Sequence, residues 1–239
     1  MEAIILAGGF GTRLASVLSD RPKALAPVGE EPFLILLLRK LSNEGFRRAI
    51  IATGHLGDQI VAALGCKVGG VEIVFSRESE PLGTGGAARL AIELARSSEV
   101  FVINGDTWVD LDYGDMIAFH HRHESKVTVA VVPVPDTTRY GTLEIVNDRI
   151  VSFREKSASG QGVINAGNYL LNRDVFASFA LPKRFSIERD FLEEYLDVLK
   201  PAAFRARGSF IDIGIPDDLS RAQALFAPQN ELPVNLRRV

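Results

Sequence analysis

Four short apolar runs, rich in β-branched residues, punctuate the first hundred positions: residues 4–7, 49–53, 71–76 and 100–104. Runs of this length without polar alternation suit strands buried on both faces. Between them apolar residues recur at helical spacing. Phe33, Leu36, Leu37 and Leu41 form one such stripe, with Gly45 placed to stop the helix. Ala87, Leu90, Ala91 and Leu94 form another after Thr84, a residue type that caps helix N-termini. Strand and helix in alternation predict right-handed crossovers and a doubly wound parallel sheet. Ligands of such sheets sit at the carboxyl ends of the strands.

The rhythm changes past about residue 126. Residues 126–134 alternate and then meet Pro133 and Pro135. Residues 142–146 and 149–153, separated by Asn147-Asp148, read as a hairpin. Residues 162–171 suit a further strand. A helix is expected after Ser186 as N-cap, with Glu188, Glu193 and Glu194 polar and Phe191, Leu192, Tyr195 and Leu199 apolar. Residues 210–213 read as a late strand, and Pro216-Asp217-Asp218 opens a last helix reaching Phe226. Without repeat or linker, the expectation is one domain over 1–239, with a nucleotide-binding half (about 1–125) and a substrate half (about 126–239).

Composition narrows the function classes. The chain of 239 residues is 46% hydrophobic and 24% charged, an ordinary globular balance. With 27 Lys+Arg against 30 Asp+Glu the formal charge is −3, which argues against a nucleic-acid partner. The single cysteine, Cys66, excludes an internal disulfide and a cysteine-rich zinc site. The longest aliphatic run, residues 33–38, falls far short of the ~20 residues of a membrane span. Met1-Glu2 runs straight into the first strand with no basic stretch before it. A cytoplasmic protein is therefore expected. His120, His121 and His123 lack helical zinc spacing and suit a solvated helix end.

Chemistry enters with Leu6-Ala7-Gly8-Gly9-Phe10-Gly11-Thr12-Arg13-Leu14, at the end of the first strand. Glycines there let backbone N–H groups approach phosphate oxygens without Cβ clashes. A Walker A loop would end in Gly-Lys-Ser/Thr, which is absent. The dinucleotide fingerprint would place a third glycine where Leu14 stands. Arg13 and, after Arg21-Pro22, Lys23 can neutralise a triphosphate. Asp106, just past the fourth strand, and Asp212, at the end of the late strand, sit where ligands of such a sheet bind; each alone suits a turn or cap as well.

These residues resemble the signature of the sugar-1-phosphate nucleotidylyltransferases, and the likeness runs through most of the chain. Pro81-Leu82-Gly83-Thr84-Gly85-Gly86-Ala87 resembles the family's base-binding loop, and Asn104-Gly105-Asp106 its first metal motif. Phe153-Arg154-Glu155-Lys156 resembles its sugar-phosphate motif, Asn165-Ala166-Gly167 its sugar-contacting strand, and Asp212-Ile213-Gly214 its second metal segment.

The resemblance implies a Rossmann-like, mostly parallel doubly wound sheet with an inserted sugar-binding hairpin region, and an NTP and a sugar 1-phosphate as small-molecule partners. It implies nucleotide contacts from Leu6, Ala7, Gly8, Gly9, Gly11, Thr12, Arg13, Lys23, Glu78, Gly83, Thr84 and Asp106. Of these Arg13, Lys23 and Asp106 would be catalytic. It places sugar-phosphate contacts at Gly141, Glu155, Lys156 and Asn165, and Mg2+ on Asp106 and Asp212.

Residues 104–108, 164–171, 185–191 and 210–216 further resemble the branch that uses GTP and D-glycero-α-D-manno-heptose 1-phosphate. Mannose 1-phosphate, another base, or a non-catalytic nucleotide-sugar sensor stand as alternatives. The short stretch after the last helix leads us to expect no appended domain, and a homo-oligomer is left open.

Overall fold

A computed structural model describes residues 1–9, 21–154 and 160–226. The first strand, β1 (Glu2–Leu6), is followed among the described residues by a 3-10 turn at Lys23–Leu25 and a small hairpin of β2 (Pro27–Val28) and β3 (Glu31–Pro32). α1 (Phe33–Asn43) turns its predicted apolar stripe inward, and Gly45 leaves it at φ +88°. Next come β4 (Arg48–Thr53), α2 (Gly57–Leu64), β5 (Lys67–Val68), β6 (Val71–Arg77), α3 (Gly83–Ile92) and β7 (Glu99–Asn104).

Strands β6, β4, β1 and β7 lie side by side in that order, all parallel. The chain steps outward from β1 to β4 to β6, then returns to the other side of β1 as β7. That reversal opens a crevice at the carboxyl ends of β1 and β7.

The second half extends the same sheet with mostly antiparallel strands. After β8 (Thr107–Val109) and α4 (Tyr113–Arg122) come β9 (Val127–Val134), β10 (Thr142–Val146), β11 (Arg149–Arg154) and β12 (Gly162–Asn172). A helical segment at Ile187–Glu193, α5 (Leu196–Leu199), β13 (Ala202–Arg205), β14 (Phe210–Asp212) and α6 (Pro216–Leu225) complete the described chain. The main sheet runs β10-β11-β13-β9-β12-β7-β1-β4-β6-β5, with β12 antiparallel to both β7 and β9. The parallel character expected for the sheet thus belongs to its first half, and the whole is mixed. Both halves share one continuous sheet.

Alternate residues of β1 feed opposite faces. Ala3 and Ile5 join α1 and α4 around Phe46, Phe101 and Tyr113, while Ile4 joins α3 and the 187–199 helices around Phe185 and Phe191. A third cluster of Phe33, Trp108, Ile211, Ile213 and Leu219 seats α6 beneath the small β8–β14 sheet.

The 142–153 hairpin forms as expected. Asn147 and Asp148 both have positive φ, 48° and 59°, the geometry whose twist matches the flanking strands. Other expectations need correction. β9 is buried on both faces except at Pro133, because β12 and β13 flank it and both faces are covered. Thr84 is not a cap: α3 begins one residue earlier, at Gly83. His120 is not solvated but 2% exposed, its ring nitrogens within 2.7 Å of Thr128 Oγ1 and 2.9 Å of Asn172 Oδ1. Burial lowers its pKa. Ser186 does cap, accepting from Arg189 N, but the turn it opens is a π-helix rather than an α-helix.

Candidate active site

The crevice is a cavity of about 840 Å³ lined by the ends of β1, β6 and β7 and the start of α3. Of the residues singled out by sequence, Leu6, Ala7, Gly8, Gly9, Lys23, Glu78, Gly83, Thr84, Asp106 and Asp212 all line it. Gly11, Thr12, Arg13, Glu155 and Lys156 lie outside the described residues.

Three charged groups meet at one place on its wall. Gly105 N donates to Leu6 O at 2.9 Å, which turns the chain over the end of β1 and sets Asp106 at the crevice. β14 pairs antiparallel with β8, with Asp212 opposite Thr107, and Ile213 N donates to Asp106 O at 3.0 Å. Two aspartates over a hundred residues apart thereby become neighbours. Lys23 Nζ lies 2.5 Å from Asp106 Oδ2 and 3.8 Å from Asp212 Oδ1. Burial and then the Asp106 charge raise the Asp212 pKa, against the pull of Lys23 and of the Gly214 N–H on Oδ1. A carboxylate crowded by another carboxylate is one that a divalent cation would relieve, and the donors are hard oxygens suited to Mg2+. Among the described residues no group of three or more His, Cys, Asp or Glu side chains gathers for a metal, so water and substrate oxygens would complete any shell.

Glu78 stands across the cavity. Its Oε2 accepts from Leu82 N at 2.9 Å, while Oε1 lies against the backbone of Gly8 and Gly54. A Cβ on Gly8 would stand 2.7 Å from that oxygen and 3.0 Å from Gly54 N, so any side chain there would displace the Glu78 carboxylate. Burial raises the Glu78 pKa, partly offset by the Leu82 N–H.

The glycines at the start of α3 are also packed against a distant stretch of chain. Gly83 has φ +72°, and a Cβ there would stand 2.6 Å from Phe185 O; a Cβ on Gly85 would overlap the Phe185 ring. Gly85 N donates to Phe185 O at 2.9 Å, and Phe185 N to Leu82 O at 3.0 Å. These glycines let the 183–185 segment lie on the helix start. The Thr84 hydroxyl is likewise engaged, donating to Glu188 Oε2 at 3.1 Å and accepting from Ile187 N at 2.9 Å.

Gly141 and Asn165 do not line the cavity. Gly141 lies close to Arg154 O, at the edge of the 155–159 segment. Asn165 begins an irregularity in β12 that ends at Tyr169, with Gly167 at φ +68°. Its Oδ1 accepts from Gly167 N at 2.9 Å and its Nδ2 donates to Tyr169 OH at 2.8 Å.

Sequence reasoning overlooked Arg184, which lines the cavity, and placed Glu188 only on the polar side of a helix. Nothing in the local sequence separates Glu188 from an ordinary first-turn acid of a helix.

A family model described as Nucleotidyl transferase matches residues 2–228. Two D-glycero-alpha-D-manno-heptose 1-phosphate guanylyltransferases are each 40% identical to the chain. That of Aneurinibacillus thermoaerophilus aligns over 93% of this chain and 97% of its own length, and that of Campylobacter jejuni over 91% and 96%. Among solved structures, HddC from Yersinia pseudotuberculosis superposes with a TM-score of 0.85 at 37% identity, over 94% of this chain and 99% of that one. Its complex with GMP-PN gives 0.83 at 36% identity, over the same shares. The motif order, the crevice at the strand ends and these matches agree: the chain belongs to the nucleotidyl transferase family, as a sugar-1-phosphate nucleotidylyltransferase.

Proposed function

We propose that the chain transfers a guanylyl group from GTP to D-glycero-α-D-manno-heptose 1-phosphate, forming GDP-heptose and pyrophosphate. The observation that carries this is the meeting of Lys23, Asp106 and Asp212 at the crevice. The 40% identity to guanylyltransferases of that sugar phosphate supports the substrate pair. Such a reaction fits a cytoplasmic location; among the described residues no helix is long and apolar enough to cross a membrane.

An oxygen of the sugar phosphate attacks the α-phosphorus of GTP, and the bond from that phosphorus to the β-phosphate oxygen breaks. The nucleophile is already ionised, so no general base is required. The protein's work is neutralising charge and aligning the attack. Asp106 and Asp212 would hold Mg2+, which supplies charge neutralisation on the phosphate oxygens. Lys23, next to both, would bind the triphosphate as a point charge, with Arg13 on the leaving pyrophosphate. The backbone of Gly8, Gly9, Gly11 and Thr12 would border the phosphates.

Glu78, with Oε1 not taken by Leu82 N, suits the N1–H and N2–H edge of guanine, two donors that an ionised carboxylate can accept together. Gly83 and Thr84 would contribute to the base wall through backbone and methyl surface, since the Thr84 hydroxyl is occupied. Lys156 would hold the sugar phosphate; Glu155, Asn165 and the Gly141 backbone would face the sugar. In this reading residues 1–125 serve the nucleotide and 126–239 the sugar phosphate, within one domain.

Pyrophosphate release measured with four NTPs against heptose and mannose 1-phosphates tests the reading. GTP with the heptose phosphate should lead strongly, since unpaired buried groups reject the wrong base. EDTA or Asp106→Ala should abolish turnover while the protein stays folded. Turnover undiminished in EDTA overturns the metal role. Comparable kcat/KM for CTP or UTP overturns the base, and nucleotide binding without pyrophosphate release points to a sensor.

A further inference from the structure

Glu188 has no role assigned above, yet it accepts three hydroxyl hydrogen bonds. Tyr169 OH donates to Oε1 at 2.6 Å, while Thr84 Oγ1 and Ser186 Oγ donate to Oε2 at 3.1 and 2.7 Å. Among the described residues no cation pairs with it. Its donors come from the first turn of α3, from β12 and from the entry to the 187–193 helix. One carboxylate thus joins the base-side loop to the strand that carries Asn165.

The direction of each bond is fixed. Gly167 N–H can only donate, so the Asn165 atom it meets is Oδ1. Asn165 Nδ2 must then face Tyr169 OH and donate to it. The phenol oxygen accepts that proton, so its own proton goes to Glu188, which as a carboxylate only accepts. Tyr169 is completely buried, out of reach of bulk solvent. A backbone donor at one end and a carboxylate at the other therefore lock the amide between them. Among the described residues, Asn165 keeps one N–H and one lone pair beyond these two bonds. That pair matches vicinal sugar hydroxyls, each of which can donate and accept.

We propose that Glu188 is a positioning residue: acting through Tyr169, it fixes the orientation in which Asn165 meets the sugar hydroxyls. This rests on Asn165 contacting the sugar, as read above. Thr84 needs Glu188 less, because Ile187 N also holds its hydroxyl and the Phe185 backbone bonds fix the turn.

The test compares steady-state KM for the sugar 1-phosphate and for GTP in Asn165→Ala, Glu188→Gln, Tyr169→Phe and the double variants with Asn165→Ala. Glutamine keeps the shape but brings an N–H donor to hydroxyls that already donate; phenylalanine keeps the ring and removes only the relay. Either should raise the sugar-phosphate KM roughly tenfold. KM for GTP should change by less than about threefold, and neither change should raise the sugar KM further once Asn165 is alanine. If Asn165→Ala alone leaves the sugar KM unchanged, the reading of Asn165 falls and the proposal with it. If Asn165→Ala raises it but Glu188→Gln and Tyr169→Phe do not, or if the effects multiply in the double variants, Glu188 does not act through Asn165. Should Glu188→Gln fail to fold, Tyr169→Phe and its double variant decide alone.

Discussion

Two glycine-rich loops border the same crevice, and they use their glycines for different ends. In the loop after β1, Gly8 is hemmed by Glu78 and Gly54, while among the described residues a Cβ on Gly9 would meet nothing within 4 Å. In the loop before α3, the glycines are covered by the protein itself, under Phe185 and Lys183. Among the described residues Gly9 stands uncovered, whereas the glycines of the second loop make room for another stretch of chain. Composition alone gives both the same appearance, and only the covering segment tells them apart.

Breaking the second loop should have the largest effect on folding. Gly85→Ala would push a methyl into the Phe185 ring, and overpacking of this kind costs typically 1–3 kcal/mol. A fall in Tm, partly restored by Phe185→Leu in the same chain, would establish packing as the role of Gly85. An unchanged Tm with lost nucleotide affinity would place the ligand there instead.

Lys23→Ala probes the charge cluster next to the first loop. Losing a charged hydrogen bond costs roughly 1.5–3 kcal/mol, about ten- to a hundredfold in nucleotide affinity. Isothermal titration with GTP reads this directly, and an unchanged Kd would remove Lys23 from the phosphate site.

Gly9→Ala sharpens the contrast because the two loops should differ in kind. Its Tm should stay within about 0.5 kcal/mol equivalent of the parent, as for an exposed change that disturbs no contact. Its kcat/KM for GTP should fall, because in the proposed reading phosphate approaches the backbone there. Lost stability together with lost activity would make the loops alike after all.

The smallest effect concerns Glu78, whose pKa burial raises. An acid raised on folding destabilises the folded state when ionised, so this cost is present at pH above the folded value. It disappears as pH falls toward the unfolded value near 4.5. Relative to Glu78→Gln, the parent should therefore gain Tm as pH drops from 7 to 4.5. Over the same fall its preference for GTP should weaken, as protonation removes the acceptor for guanine. A Tm difference independent of pH would show that Glu78 titrates normally.

The sequence by itself determined the parallel half of the sheet. Unbroken apolar runs and helical stripes leave few ways to bury themselves, so β1, β4, β6 and β7 fall within a residue or two of the pattern. It also marked Lys23, Asp106 and Asp212, through their places after the glycine loop and at strand ends together with the family motifs they resemble.

Tertiary structure decided what depends on partners distant in the chain. The β8–β14 pairing makes neighbours of Asp106 and Asp212. Phe185, about a hundred residues away, takes over the glycines of α3, and Glu188 takes the Thr84 hydroxyl that local propensity offers as a cap. His120 is drawn inside because Thr128 and Asn172 satisfy both its ring nitrogens. Local sequence fixes periodicity and hydrogen-bonding capacity, whereas the partner that satisfies each polar group is chosen when the sheet closes, since a buried group left unpaired costs more than any local preference returns.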